Sequence, residues 1–246
     1  MRRAAGQLRI ASRIVLALLT GCTSAPPAPA PRDPLPKDIR PFLIDPADPA
    51  DPRAEVAEVH RIFLQLTSTG DGASVERAAM ALLSRSADLA PAEVLVAQAR
   101  LVAGDATGAV EAARRSGAPG GLPARLVEAR ALEALGDLPA AVSSYRALAG
   151  ESEVAAARAA ALEPRAAEIL RKRIEEALAR GQVEVAEREL VRLEQLRPRD
   201  EGTLRLGLRV AAARGDRVRE LAFARSLLPA TPGDRELALR RAQLEM

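Results

Sequence analysis

From position 104 onward, a glycine followed by a polar residue recurs in this 246-residue chain. The pairs are Gly104-Asp105, Gly136-Asp137, Gly181-Gln182 and Gly215-Asp216, separated by 32, 45 and 34 residues. Intervals near 34 residues point to stacked supersecondary units, each too small to bury its apolar face alone. The chemistry suits a helix–turn–helix. Glycine takes the left-handed conformation that ends one helix, and aspartate accepts a backbone N–H at the start of the next. Gln182 departs from the rule, because its longer side chain caps poorly. Hydrophobic residues make up 48% of the chain and aromatics 2%, so burial must come from Ala, Leu and Val at short range. That composition favours helices over sheets. The expected fold class is all-α, a solenoid of helix pairs.

Five residues after the four glycines stand Ala109, Ala141, Ala186 and Glu220, and nine after stand Ala113, Tyr145, Leu190 and Ala224. Pro198 and Pro232 follow the last two glycines by 17 residues and should end second helices. These positions resemble tetratricopeptide repeats over roughly residues 53–246, about five helix pairs. Three departures stand out: the large aromatic of the first helix is missing, Glu220 replaces the small residue, and the first pair is read as lacking the Gly-Asp turn. The 45-residue interval exceeds 34 by 11. Ser152 to Leu162 is expected to fill it with an extra helix ending before Pro164, bending the solenoid between two halves. The segment from Asp234 to Met246 reads as a lone polar capping helix.

The amino terminus reads as an address. Arg2, Arg3, Arg9 and Arg13 precede the short apolar run from Ile14 to Leu19, in signal-peptide order and too short to span a membrane. Leu19-Thr20-Gly21-Cys22 resembles the lipobox of bacterial lipoproteins. The resemblance implies a diacylglycerol on the Cys22 sulfur, cleavage after Gly21, and usually a further acyl chain on the new amine. Two or more chains anchor stably, because each buried methylene contributes about 0.8 kcal/mol. Thr23 stands where inner-membrane retention prefers Asp, so the expected location is the outer membrane facing the periplasm.

Residues 23–53 carry ten prolines, which excludes helix and implies an extended, mostly disordered tether of at most about 90 Å at ~3.1 Å per residue. Asp45, Asp48 and Asp51, each followed by proline, recur every three residues and would align as an acidic stripe or simply keep a spacer soluble. One apolar island interrupts the tether: Ile39, Phe42, Leu43 and Ile44, with Arg40 and Pro41 between. It is expected to dock on the first helices of its own domain, the alternative being a partner. The helical domain should open at Asp51-Pro52, with Val56, Val59, Phe63 and Leu66 on one face and His60 at its edge. The organisation is thus a signal peptide at 1–21, an acylated linker at 22–52 and a repeat domain at 53–246.

Net charge is +3, but the four presequence arginines account for the excess, and removing them leaves 32 basic against 33 acidic residues, a net −1. A near-neutral chain with four aromatics has neither the basic field nor the stacking platforms of a general nucleic-acid binder. One cysteine and one histidine allow no internal disulfide, no Cys/His zinc site and no Cys-His dyad. With no nucleophile motif or phosphate loop, no catalysis, cofactor or small-molecule substrate is expected.

The tetratricopeptide resemblance implies a groove lined ten, six and three residues before each turn glycine. These positions are Val94, Gln98 and Leu101; Leu126, Arg130 and Glu133; Arg171, Glu175 and Leu178; and Arg205, Arg209 and Ala212. Arginine dominates the carboxy-terminal half, where planar guanidinium forks suit a partner's carboxylates or the solvent. The expected function is a membrane-anchored scaffold or assembly factor for an envelope complex of secretion, pilus or outer-membrane assembly type, with another envelope protein as partner. A spacer lipoprotein without a peptide ligand is the alternative, favoured if the tether occludes the groove.

Overall fold

Eleven α-helices succeed one another among the described residues of the computed structural model, Leu35 and 37–246. They are α1 (Ala54–Thr69), α2 (Gly72–Leu83), α3 (Ala90–Ala103), α4 (Ala106–Ser116), α5 (Gly121–Ala134), α6 (Leu138–Ala147), α7 (Glu153–Ala179), α8 (Val183–Leu196), α9 (Glu201–Arg214), α10 (Arg217–Leu227) and α11 (Arg235–Glu245). The described residues hold no strand. Each helix packs on the next, from α1 on α2 through to α10 on α11. First helices also pack side by side, α1 on α3, α3 on α5 and α7 on α9. The architecture is an α-solenoid of five TPR-like helix pairs closed by α11. The signal peptide and Cys22 lie outside the described residues.

The turn glycines end their helices as the pattern requires: Gly104 and Gly215 sit at φ 85° and 77°, in the left-handed region that glycine enters without steric cost. Asp105 and Asp216 accept the N–H groups of Gly108 and Arg219 at 2.9 and 3.0 Å. Asp137 makes no such side-chain cap. The first pair does carry the turn. Gly70 ends α1 at φ 67°, and Asp71 caps α2 through the Ser74 N–H at 3.0 Å. Gly70 precedes Gly104 by 34 residues, so the repeat register extends one pair further toward the amino terminus. The expected cap at Asp51-Pro52 is displaced. α1 starts after Arg53, and the Asp51 carboxylate binds the Arg53 N–H and guanidinium at 2.6–3.0 Å instead.

No separate helix fills the 11-residue excess. α7 runs unbroken through Pro164 for 27 residues, its Ser152 cap accepting the Ala155 N–H. Proline removes one intrahelical bond, that to the Ala160 carbonyl, yet neighbours hold the helix, which packs on both α6 and α8. Beside the proline, Glu163 accepts from Arg146 at 2.6 Å and from Arg197 at 2.8 Å. Arg146 also donates to the Gln195 and Leu196 carbonyls that end α8. The added length falls where the side-by-side packing of first helices lapses, between α5 and α7. Because an internal proline costs about 3 kcal/mol in a helix and only part of that is offset in the unfolded chain, Pro164→Ala is expected to raise the melting temperature. An unchanged or lower value in thermal unfolding by circular dichroism would show that α7 is shaped to its proline.

The interior is lined with small residues that bring helices close. A Cβ on Gly72 would lie 2.3 Å from the Ala99 carbonyl oxygen of α3, and one on Gly207 would lie 2.5 Å from the Phe223 ring of α10. Glu220, the departure from a small residue, is 2% exposed and accepts from Arg240 Nε of α11 at 2.6 Å. The buried carboxylate thereby fixes the capping helix, with Asp234 capping α11 through the Leu237 N–H.

Candidate functional site

The first-helix face divides into a filled half and an open half. In the amino-terminal half, Val94, Gln98, Leu101 and Leu126 are buried rather than presented to solvent. Residues 37–45 of the tether lie on this half of the face, with the Ile44 carbonyl on Gln98. This strap is not extended throughout: Arg40–Phe42 forms one 3-10 turn, and Ile39 and Phe42 join the domain core at 8% and 4% exposure. Leu35 is buried as well.

The strap crosses the first helices from α5 back to α1. Asp38 pairs with Arg130 of α5 at 2.9 Å, and the Arg130 guanidinium lies 5.7 Å from the Phe42 ring centroid. Phe42 tilts against Tyr145 of α6, centroids 5.9 Å apart. Gln98 Nε2 of α3 donates to the Ile44 carbonyl at 2.7 Å, and the Asp45 carboxylate meets His60 Nδ1 of α1. The island docks on its own domain as expected, but it reaches α5 and α6 beyond the first pair. Leu43 and Ile44 pack at the edge of the core. Asp45, Asp48 and Asp51 form no free stripe, since each accepts the N–H two residues on, at 2.9–3.0 Å. Each Asp-Pro unit therefore turns the chain through its own side chain.

Beneath Phe42, Glu133 of α5, Tyr145 of α6 and Arg158 of α7 converge where α5 and α7 part. Glu133 is 8% exposed; it accepts from the Tyr145 hydroxyl at 3.0 Å and from both Nε and Nη2 of Arg158, and Arg130 stands 3.7 Å away. Burial alone would raise the Glu133 pKa, but the Arg158 hydrogen bond, the Arg130 charge and the Tyr145 hydroxyl together hold it below the ordinary glutamate range. The Tyr145 phenol is pushed up, first by burial and then by the Glu133 charge.

The carboxy-terminal half is open. Arg205 and Arg209 are 49% and 57% exposed. They line a cavity of about 690 Å³ with Leu208, Leu237, Leu239 and Arg240. Their charge is partly met within the chain: Arg205 by Glu201 at 2.9 Å and Asp234 at 3.7 Å, and Arg209 by Glu175 at 3.8 Å. Arg171 faces the α9 cap, donating to Asp200 at 2.9 Å. Sequence reasoning placed His60 only at the edge of the α1 face and missed Leu64 and Thr67, which share its register before Gly70. The signal was the overlooked Gly70-Asp71, 34 residues ahead of Gly104.

Among the described residues no helix is long and apolar enough to cross a membrane, and no cluster of His, Cys, Asp and Glu is arranged to hold a metal ion. No family model matches the chain, and no curated protein matches it. Among solved structures, the chain is similar to a thermophilic TPR protein of Thermus thermophilus, at 20% identity over 78% of this chain and 99% of that one, with a TM-score of 0.34. The chain's own helix order and Gly-Asp turns carry the assignment to TPR-like helix pairs.

Proposed function

We propose that the protein is a non-enzymatic envelope lipoprotein, held to the outer membrane through acyl chains on Cys22, that scaffolds another envelope protein along its first-helix face. The supporting observation is the contrast between the two halves of that face. One half carries the chain's own strap, while the other presents Arg205 and Arg209 around an apolar-floored cavity of about 690 Å³. Two guanidinium forks beside leucine side chains suit an acidic or carboxy-terminal segment that also buries an apolar side chain. Intramolecular carboxylates at 2.9–3.8 Å lower the net charge offered, so the partner must exchange with Glu201, Asp234 and Glu175 rather than meet bare cations.

The test is crosslinking in intact cells, followed by purification of wild type and an Arg205→Glu, Arg209→Glu chain and identification of co-purifying proteins. The expected result is a partner lost from the variant, with weaker salt dependence in whatever binding remains. Survival of the same partner in the variant refutes this use of the groove. The strap favours a second reading, a spacer lipoprotein with its own segment as sole ligand; recovery of no specific partner from either chain supports it.

A further inference from the structure

Among the described residues, three buried side-chain polar atoms have no partner: Gln98 Oε1, Arg130 Nε and Arg171 Nε. All three belong to first-helix groove positions, and Gln98 is 0% exposed. Two of them lie directly under the strap. Gln98 uses its amide nitrogen on the Ile44 carbonyl and leaves its oxygen idle, and Arg130 uses Nη2 on Asp38 and leaves Nε idle. A buried polar atom without a partner is costly. The strap therefore fits the site's shape and charge without completing its hydrogen bonds.

We propose that the strap is an intramolecular competitor for a partner's segment of like chemistry: an extended acidic and apolar peptide with a carboxylate four residues before an aromatic and another three residues after it. That order is Asp38, Phe42 and Asp45 in the strap. The site reads it with the Arg130 guanidinium, the slot beside Tyr145, the Gln98 amide and the His60 imidazole. A peptide that presents a backbone N–H to Gln98 Oε1 makes one bond more than the strap makes. The strap is built to be displaced. It is a single short turn with no hydrogen-bonded ladder, its outer polar contacts each have one exposed partner, Asp38 at 67% and His60 at 52%, and it joins α1 through the Asp-Pro turns of residues 45–53. Displacement exposes Ile39 and Phe42, so the competing segment must bury apolar side chains in their place. The proposal rests on the protein-binding reading above but concerns the other half of the face, so it stands or falls independently of Arg205 and Arg209.

The experiment uses the full chain with Asp38→Ala and Phe42→Ala, which loosen the strap, and a fluorescent peptide of residues 34–46 followed by anisotropy. The loosened chain is expected to bind the peptide at least about tenfold more tightly than wild type, because the tethered strap competes at high effective concentration. Adding Arg130→Glu, or changing the peptide's phenylalanine to alanine, should remove that binding. A loosened chain that keeps wild-type helicity but does not bind, or a wild type that binds equally well, overturns the proposal. A loosened chain that dimerises and excludes the peptide also overturns it, and assigns the site to a second copy. If the loosened chain unfolds, hydrogen exchange of the wild type decides: strap amides exchanging well ahead of α3 and α5 support displacement, and strap amides exchanging only together with those helices overturn it.

Discussion

Replacing Tyr145 with alanine is expected to destabilise the domain by ~3–5 kcal/mol, the usual cost of truncating a fully buried aromatic. The ring is 0% exposed, packs against Phe42 and carries the hydroxyl that satisfies Glu133. For a domain of this size, at about 2–4 °C per kcal/mol, the melting temperature should fall by roughly 10 °C. Tyr145→Phe separates the two contributions: it keeps the packing and removes one hydrogen bond to a charged acceptor, so about 1.5–3 kcal/mol should be lost. The loss should also reach the strap, whose amides should exchange faster in Tyr145→Ala than in Tyr145→Phe. Thermal unfolding and hydrogen exchange of the two variants check this. An alanine variant within about 1 kcal/mol of wild type would mean that α5, α6 and α7 close over the gap unaided.

Changing Glu133 to alanine is expected to cost ~2–3 kcal/mol, toward the lower side for breaking a buried ion pair, because the Arg158 side chain is 41% exposed and can rehydrate. Arg130, at 13% exposure, retains Asp38 but loses its second carboxylate. The effect should depend on pH with a definite sign. The folded Glu133 pKa lies below its unfolded value, so its contribution is present above the ordinary glutamate pKa of about 4.3 and is lost as pH falls through the lower, folded value. Wild type should therefore lose stability faster than Glu133→Ala on acidification below about pH 4. Glu163, held low against burial by Arg146 and Arg197, and Asp200, held low against burial by the Thr203 N–H and then Arg171, will contribute a similar slope in both chains. The difference between the two urea-denaturation profiles isolates Glu133. Parallel profiles would show that the carboxylate gains nothing from its partners.

Much of the fold is legible in the residues alone. The Gly-Asp turns work because they are local: a left-handed glycine and an aspartate three residues before an N–H act within one turn of chain. Small-then-large spacing also reads directly, since Ala109, Ala141 and Ala186 are all fully buried. The failures share a cause. Pro164 reads as a helix end because local propensity opposes continuation, yet α7, packed on both α6 and α8, runs through it. Asp51-Pro52 has good capping chemistry, but the Asp51 carboxylate is engaged by Arg53.

The groove shows the same division. Which positions face it is what the tetratricopeptide resemblance implies, and two of those positions, Gln98 and Arg130, meet the strap. Whether they are open does not follow. Proline content argues against helix in residues 37–45, where the structure nevertheless holds one 3-10 turn at Arg40–Phe42, and it cannot say whether an apolar island in a linker stays in water or lies on a surface. That depends on contacts between distant residues, such as Asp38 with Arg130, 92 positions apart. By itself, then, the sequence determined the helix pairs and their turns, because these are set within a few residues of chain. Only the tertiary structure decided that one half of the groove is held by the protein's own strap, because that outcome depends on shape and charge matching between distant segments.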